Sequence, residues 1–77
     1  MKPTHIQRYD FFALRPVFGL TFAFKDYVNV ISGEFSGKSG TLVSIEEMGA
    51  DPIYLVQLDP GIQASLPASF LQAEGDN

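Results

Sequence analysis

Between Phe18 and Phe24 apolar residues alternate with small or polar ones. Phe18, Leu20, Phe22 and Phe24 fall on one side of an extended chain, and Gly19, Thr21 and Ala23 on the other. That period of two predicts a half-buried strand. A second strand is predicted over Tyr27 to Ser32 (YVNVIS), rich in β-branched and aromatic residues, with Val28 and Val30 on one face and Gly33 at its end. Thr41 to Glu46 (TLVSIE) makes a third. Within it Leu42 competes in parity with Val43 and Ile45, which points to a bulge. Ile53 to Leu58 (IYLVQL) follows, with Tyr54, Val56 and Leu58 sharing a face, and then Ile62 to Leu66, ended by Pro67.

The stretches between are turn-formers. Gly33, Gly37 and Gly40 crowd a loop whose backbone makes turns that side chains would obstruct. Met48 to Pro52 is a second turn. Asp59-Pro60-Gly61 is a third, with Pro60 fixing φ at one position and Gly61 tolerating positive φ at the next. Ser69-Phe70-Leu71 reads as a closing turn that drops Phe70 or Leu71 into the core. Residues 1–15 read as a short helix or irregular arm, with Ile6, Tyr9, Phe12 and Ala13 on one helical face and Pro3 and Pro16 as bounds. About five short strands separated by Gly/Pro turns predict a small all-β barrel, because closing a sheet removes exposed edges. The expected organisation is an N-terminal aromatic arm or helix at 1–16, the barrel at 17–72 and a flexible tail at 73–77.

Composition narrows the class. The chain has 77 residues, seven Phe, three Tyr and no cysteine, so it is one domain near the lower size limit for folding on packing alone. Disulfides and cysteine zinc sites are excluded. The most apolar stretch, Pro16 to Phe24, is far shorter than the roughly 20 residues that cross a bilayer, and no export signal precedes it. No membrane role and a cytoplasmic location are the expectations. The net charge of −4 is unevenly spread. All five Lys and Arg lie in the first 38 residues with three acids, and the remaining 39 carry six acids. Five scattered cations offer little of the clustered basic face that phosphate binding needs.

Ser32-x-x-x-x-Gly37-Lys38-Ser39 approaches a phosphate-binding loop, but Ser32 stands where the first glycine belongs and a β-type run follows where a helix is needed. The longer pattern over residues 25–45 fits another motif. Asp26, the alternating Val28 and Val30, then Gly33, Gly37 and Gly40, and the apolar pair Leu42 and Ile45 resemble the KOW motif of ribosomal large-subunit proteins and transcription-elongation factors. The resemblance implies an SH3-like barrel in which Gly33 and Gly37 turn the chain and Gly40 lets the second strand start close against the first. Residues 54–71 look like the later half of such barrels. It also implies RNA or ribosome association, against which the acidic balance argues.

Candidate binding residues are Tyr27 and Tyr54, as rings that stack a base or a proline-rich peptide; Phe35, as a loop-tip anchor or a ring folded back over the barrel end; and Lys38, as a phosphate contact. His5 lacks partners for catalysis or metal, and Glu46, Glu47 and Asp51 read as a solvated acidic rim. No nucleophile has a base beside it, so the chain reads as non-enzymatic, with no cofactor. The expected function is a small module binding a protein partner or a second copy of itself through the glycine loop and exposed aromatics. The alternatives are KOW-type RNA binding and service as an accessory subunit that docks through the Phe-rich arm: Phe11, Phe12, Phe18, Phe22 and Phe24.

Overall fold

The protein is described by a computed structural model over residues 1–59 and 61–73. Helix α1 (His5–Phe12) precedes five strands: β1 (Tyr27–Val30), β2 (Ser39–Glu47), β3 (Ile53–Leu58), β4 (Ile62–Pro67) and β5 (Leu71–Ala73). They form one antiparallel sheet in the order β4-β3-β2-β1-β5. The all-β architecture expected from the alternation is present.

Only the 3-10 turn Ala68–Phe70 joins β4 to β5, the two edges of the sheet. In a flat sheet those edges would lie about 19 Å apart, whereas the chain from Pro67 to Leu71 reaches at most about 15 Å. The sheet therefore curls, and its concave face holds the core. Val28, Leu42, Ile45, Tyr54, Val56 and Leu58 are fully buried there.

β2 and β3 show how the curl is built. β3 alternates strictly, with Tyr54, Val56 and Leu58 inward. β2 places Gly40, Leu42 and Ile45 inward, at spacings of two and then three. The register shifts between Leu42 and Ser44, and again between Ile45 and Glu47, so Val43 and Glu46 are the extra residues of two bulges. Each bulge raises local twist and resets which side faces in, which resolves the competing parity in the sequence.

Two expectations need correction. Phe18 to Phe24 is not a strand. Leu20, Phe22 and Phe24 do pack against the core, with Thr21 and Ala23 outward, so the alternation survives as burial. What is lacking is a ladder: both edges of β1 are taken, by β2 and β5. Positive φ at Gly19 (91°) and Lys25 (72°) also breaks the extended run. The fifth strand is instead β5, which follows the expected closing turn, present as the 3-10 turn Ala68–Phe70. Leu71 does enter the core, and β5 runs to Ala73, opposite Val28, one residue into the expected tail. Pro60 and residues 74–77 lie outside the described residues.

The N-terminal segment is tied down at several points. Thr4 caps α1 in a reciprocal box: its hydroxyl accepts from the Gln7 N–H at 3.1 Å, and the Gln7 side chain accepts from the Thr4 N–H at 2.8 Å. Before the helix, Met1 exchanges backbone bonds with Met48 beyond the end of β2, and Lys2 pairs with Glu47 at 2.9 Å. No helix is long and apolar enough to cross a membrane among the described residues.

Candidate protein-binding surface

The glycine loop is closed on itself. Gly33 and Gly37 have φ of +85° and +93°, and the N–H groups of Ser36, Gly37 and Lys38 donate to the carbonyls of Gly33, Val30 and Phe35. Those three donors are spent within the loop, and β2 leaves at Ser39 where a phosphate cradle has a helix. Phe35 folds back, half-buried, against the core. Glu34, Ser36 and Lys38 are what the loop shows to solvent. Gly40 plays a different part from the one expected. Its close neighbour is β3, where an added Cβ would meet the Gln57 carbonyl oxygen and lie 2.8 Å from the Leu58 Cα. Gly61, with φ +135°, turns the chain from β3 into β4, and its N–H donates to the Leu58 carbonyl at 2.6 Å.

The two tyrosines part company. Tyr54 is fully buried, its ring edge-on to Phe22 at 5.6 Å and its hydroxyl accepting from the Phe22 N–H at 3.3 Å. It is a core residue and has no face on which a ligand could stack. Tyr27 is exposed, and its hydroxyl donates to Asp59 at 2.8 Å. Tyr27, Phe35, Lys38 and Tyr54 thus do not assemble one site.

The exposed apolar surface lies elsewhere, on α1 and the segment after it. Phe11 is the helix residue that enters the core, in ring contact with Phe12, Phe24 and Tyr54. With 3.6 residues per turn, Ile6, Tyr9 and Ala13 fall on the side opposite Phe11. Ile6 is 74% exposed and Tyr9 63%. The helical face read from the sequence exists, but it is turned to solvent. Leu14, held at φ +62°, and Phe18, 99% exposed, add to the apolar surface of the arm. Sequence reasoning missed the inward–outward split of the phenylalanines: Phe18 shares its parity with Phe22 and Phe24, yet only the latter two pack against the core.

A cleft of about 280 Å³ lies between the end of α1 and the following segment, with Phe11, Leu14, Val17 and Phe22 among its walls and Arg15 and Asp26 as its charged residues. Arg15 stands 3.8 Å from Asp10 and lies over the Tyr9 ring at 5.6 Å.

The acidic rim is divided. Glu47 receives the Lys2 ammonium and the Met1 amino group, each at 2.9 Å, and these hydrogen bonds hold its carboxyl down at about 2. Its negative charge in turn raises the Lys2 pKa. Asp51 accepts from the Ser69 N–H and hydroxyl at 2.9 and 2.7 Å. Among the described residues no group of three potential metal ligands forms. Comparison with known proteins found no match to any family model, curated protein or solved structure.

Proposed function

We propose that the protein is a non-catalytic protein-binding module whose contact surface is the outward apolar face of α1, formed by Ile6 and Tyr9. The observation that carries this reading is the division of labour on one short helix: Phe11 fixes it to the sheet while Ile6 and Tyr9 stay in water. Contiguous apolar surface on a small domain is costly to solubility and marks an interaction site. The KOW-like segment then serves as scaffold, and the partner is a protein with an apolar groove, either free or within a larger enzyme assembly. RNA binding finds less support, because the five cations are dispersed and Lys2, Arg8 and Arg15 already face Glu47, Ser44 and Asp10.

The test is capture from native extract with the full chain as bait, beside the double variant Ile6→Lys, Tyr9→Lys and the single variant Lys38→Ala. A partner lost with the double variant, kept with Lys38→Ala and retained from 50 to 200 mM salt supports the reading. Capture of RNA that falls by about a decade or more over that range would overturn it in favour of phosphate contacts.

A further inference from the structure

β4 is an edge strand. β3 lies on one side of it, and among the described residues no strand lies on the other. Natural edges are usually blunted by charge, by a bulge or by shortness. β4 has none of these: its register with β3 runs unbroken over six residues, and Ile62-Gln63-Ala64-Ser65-Leu66-Pro67 carries no charge. Pro67, which lacks an N–H, limits it only at the end. Among the described residues, the backbone from Ile62 to Leu66 has no hydrogen-bond partner beyond β3. Ile62, Gln63 and Ser65 are exposed.

We propose that the free edge of β4 accepts an extended segment of a partner protein as a sixth strand, uncharged over about six residues and flanked at both ends by Lys or Arg. The flanking charge follows from the ends of the β3–β4 ribbon. Asp59 begins the turn into β4, and Asp51 holds Ser69 just past the end of β4. Both accept their hydrogen bonds from neutral donors, Tyr27 and Ser69. Among the described residues neither is in an ion pair: those found join Met1 and Lys2 to Glu47 and Arg15 to Asp10. An incoming strand therefore meets negative potential at each end of an uncharged track about 20 Å long.

A second copy of the chain is the wrong occupant. Antiparallel pairing of β4 with itself sets the Asp59 end of one copy against the Asp51 end of the other, and parallel pairing sets like against like. The site uses no α1 residue, so it stands or falls apart from the function proposed above.

The test uses the full isotope-labelled chain and a capped peptide that alternates threonine and valine over six positions, with two lysines at each end. Amide signals from Ile62 to Leu66 shift on titration, and their hydrogen exchange slows about tenfold or more at saturation. Replacing the lysines by glutamates, or Ser65 of the protein by lysine, weakens binding about tenfold. N-methylation along the six central positions abolishes it. Absence of shifts at β4 up to millimolar peptide would overturn the proposal. So would equal binding of the lysine-flanked and glutamate-flanked peptides, equal binding of the N-methylated one, or shifts confined to α1.

Discussion

The rings of Phe11 and Tyr54 face each other at a tilt, centroids 6.4 Å apart, one from the helix and the other from the middle of the sheet. A helix of eight residues does not hold by itself in water. This contact, with Phe24 at 5.9 Å from Phe11 and the Thr4 cap at the start, is what makes α1 part of the domain. The same contact fixes the rotation of the helix, and so decides that Ile6 and Tyr9 point away.

Phe11→Ala is expected to cost about 3–5 kcal/mol by emptying that slot, a large share of the stability of so small a domain. Urea unfolding followed by circular dichroism reads it. Ile6→Lys and Tyr9→Lys, on the exposed side, stay within about 0.5 kcal/mol of the parent. If they destabilise as much as Phe11→Ala, the stripe is packing surface and the proposed contact face is lost.

Among the glycines, Gly40→Ala is the most damaging, at about 2–4 kcal/mol, because its methyl group is driven into the β3 backbone, which cannot move aside. Gly37→Ala meets open space and costs about 1 kcal/mol, from positive φ alone. Gly33→Ala falls between: φ is positive there too, but the neighbour is the edge of the Phe70 ring, which can shift. Chemical denaturation of the three variants gives the order, and a Gly40→Ala chain as stable as Gly37→Ala would contradict the close approach of β2 and β3.

Tyr54→Phe removes the acceptor of the Phe22 N–H and is expected to cost about 1 kcal/mol. It leaves partner capture unchanged, since Tyr54 has no exposed face. Loss of capture with an intact fold would return Tyr54 to the binding surface.

Glu47 titrates at about 2 in the folded chain against an ordinary value of 4.5. The unfolded chain therefore takes up the proton first as pH falls. The stabilisation is whole above about pH 4.5 and disappears on the way down to about 2. The melting temperature of the parent should approach that of Glu47→Gln across that window, while above it the parent is the more stable. Glu47 is partly exposed, so raised salt shrinks the difference. Parallel melting curves of the two proteins from pH 6 to pH 2 would show that the Lys2 and Met1 contacts contribute nothing.

Where the sequence was informative, side-chain periodicity coincided with hydrogen-bonded structure. Tyr54, Val56 and Leu58 read as one face of one strand and are that. The parity conflict at Leu42, Val43 and Ile45 announced a real bulge. Thr4 and Gln7 form a capping box that was readable from its spacing and passed over. What stayed hidden depended on competition between segments. Phe18 to Phe24 has the pattern of a strand, but whether it pairs is settled by β5, which occupies the edge of β1 it would have used. Likewise the helical face of Ile6 and Tyr9 was visible as a face, but its direction is set by Phe11, whose pocket comes from residues more than ten positions away. Tyr54, by contrast, was legible as a core residue from the face it shares with Val56 and Leu58, and the structure buries it there.

The paired bulges at Val43 and Glu46 give β2 a tolerance to substitution that does not extend to insertion or deletion. A different side chain at Val43 changes only what that half-buried position presents. Removing the residue would leave Leu42, Ser44 and Ile45 in unbroken register with Val56, Leu55 and Tyr54, so that Ile45 stays inward but the twist that the bulge adds to the curl is lost. Natural variants of this chain should therefore differ freely in the identity of residue 43 and hardly at all in the number of residues between Leu42 and Ile45.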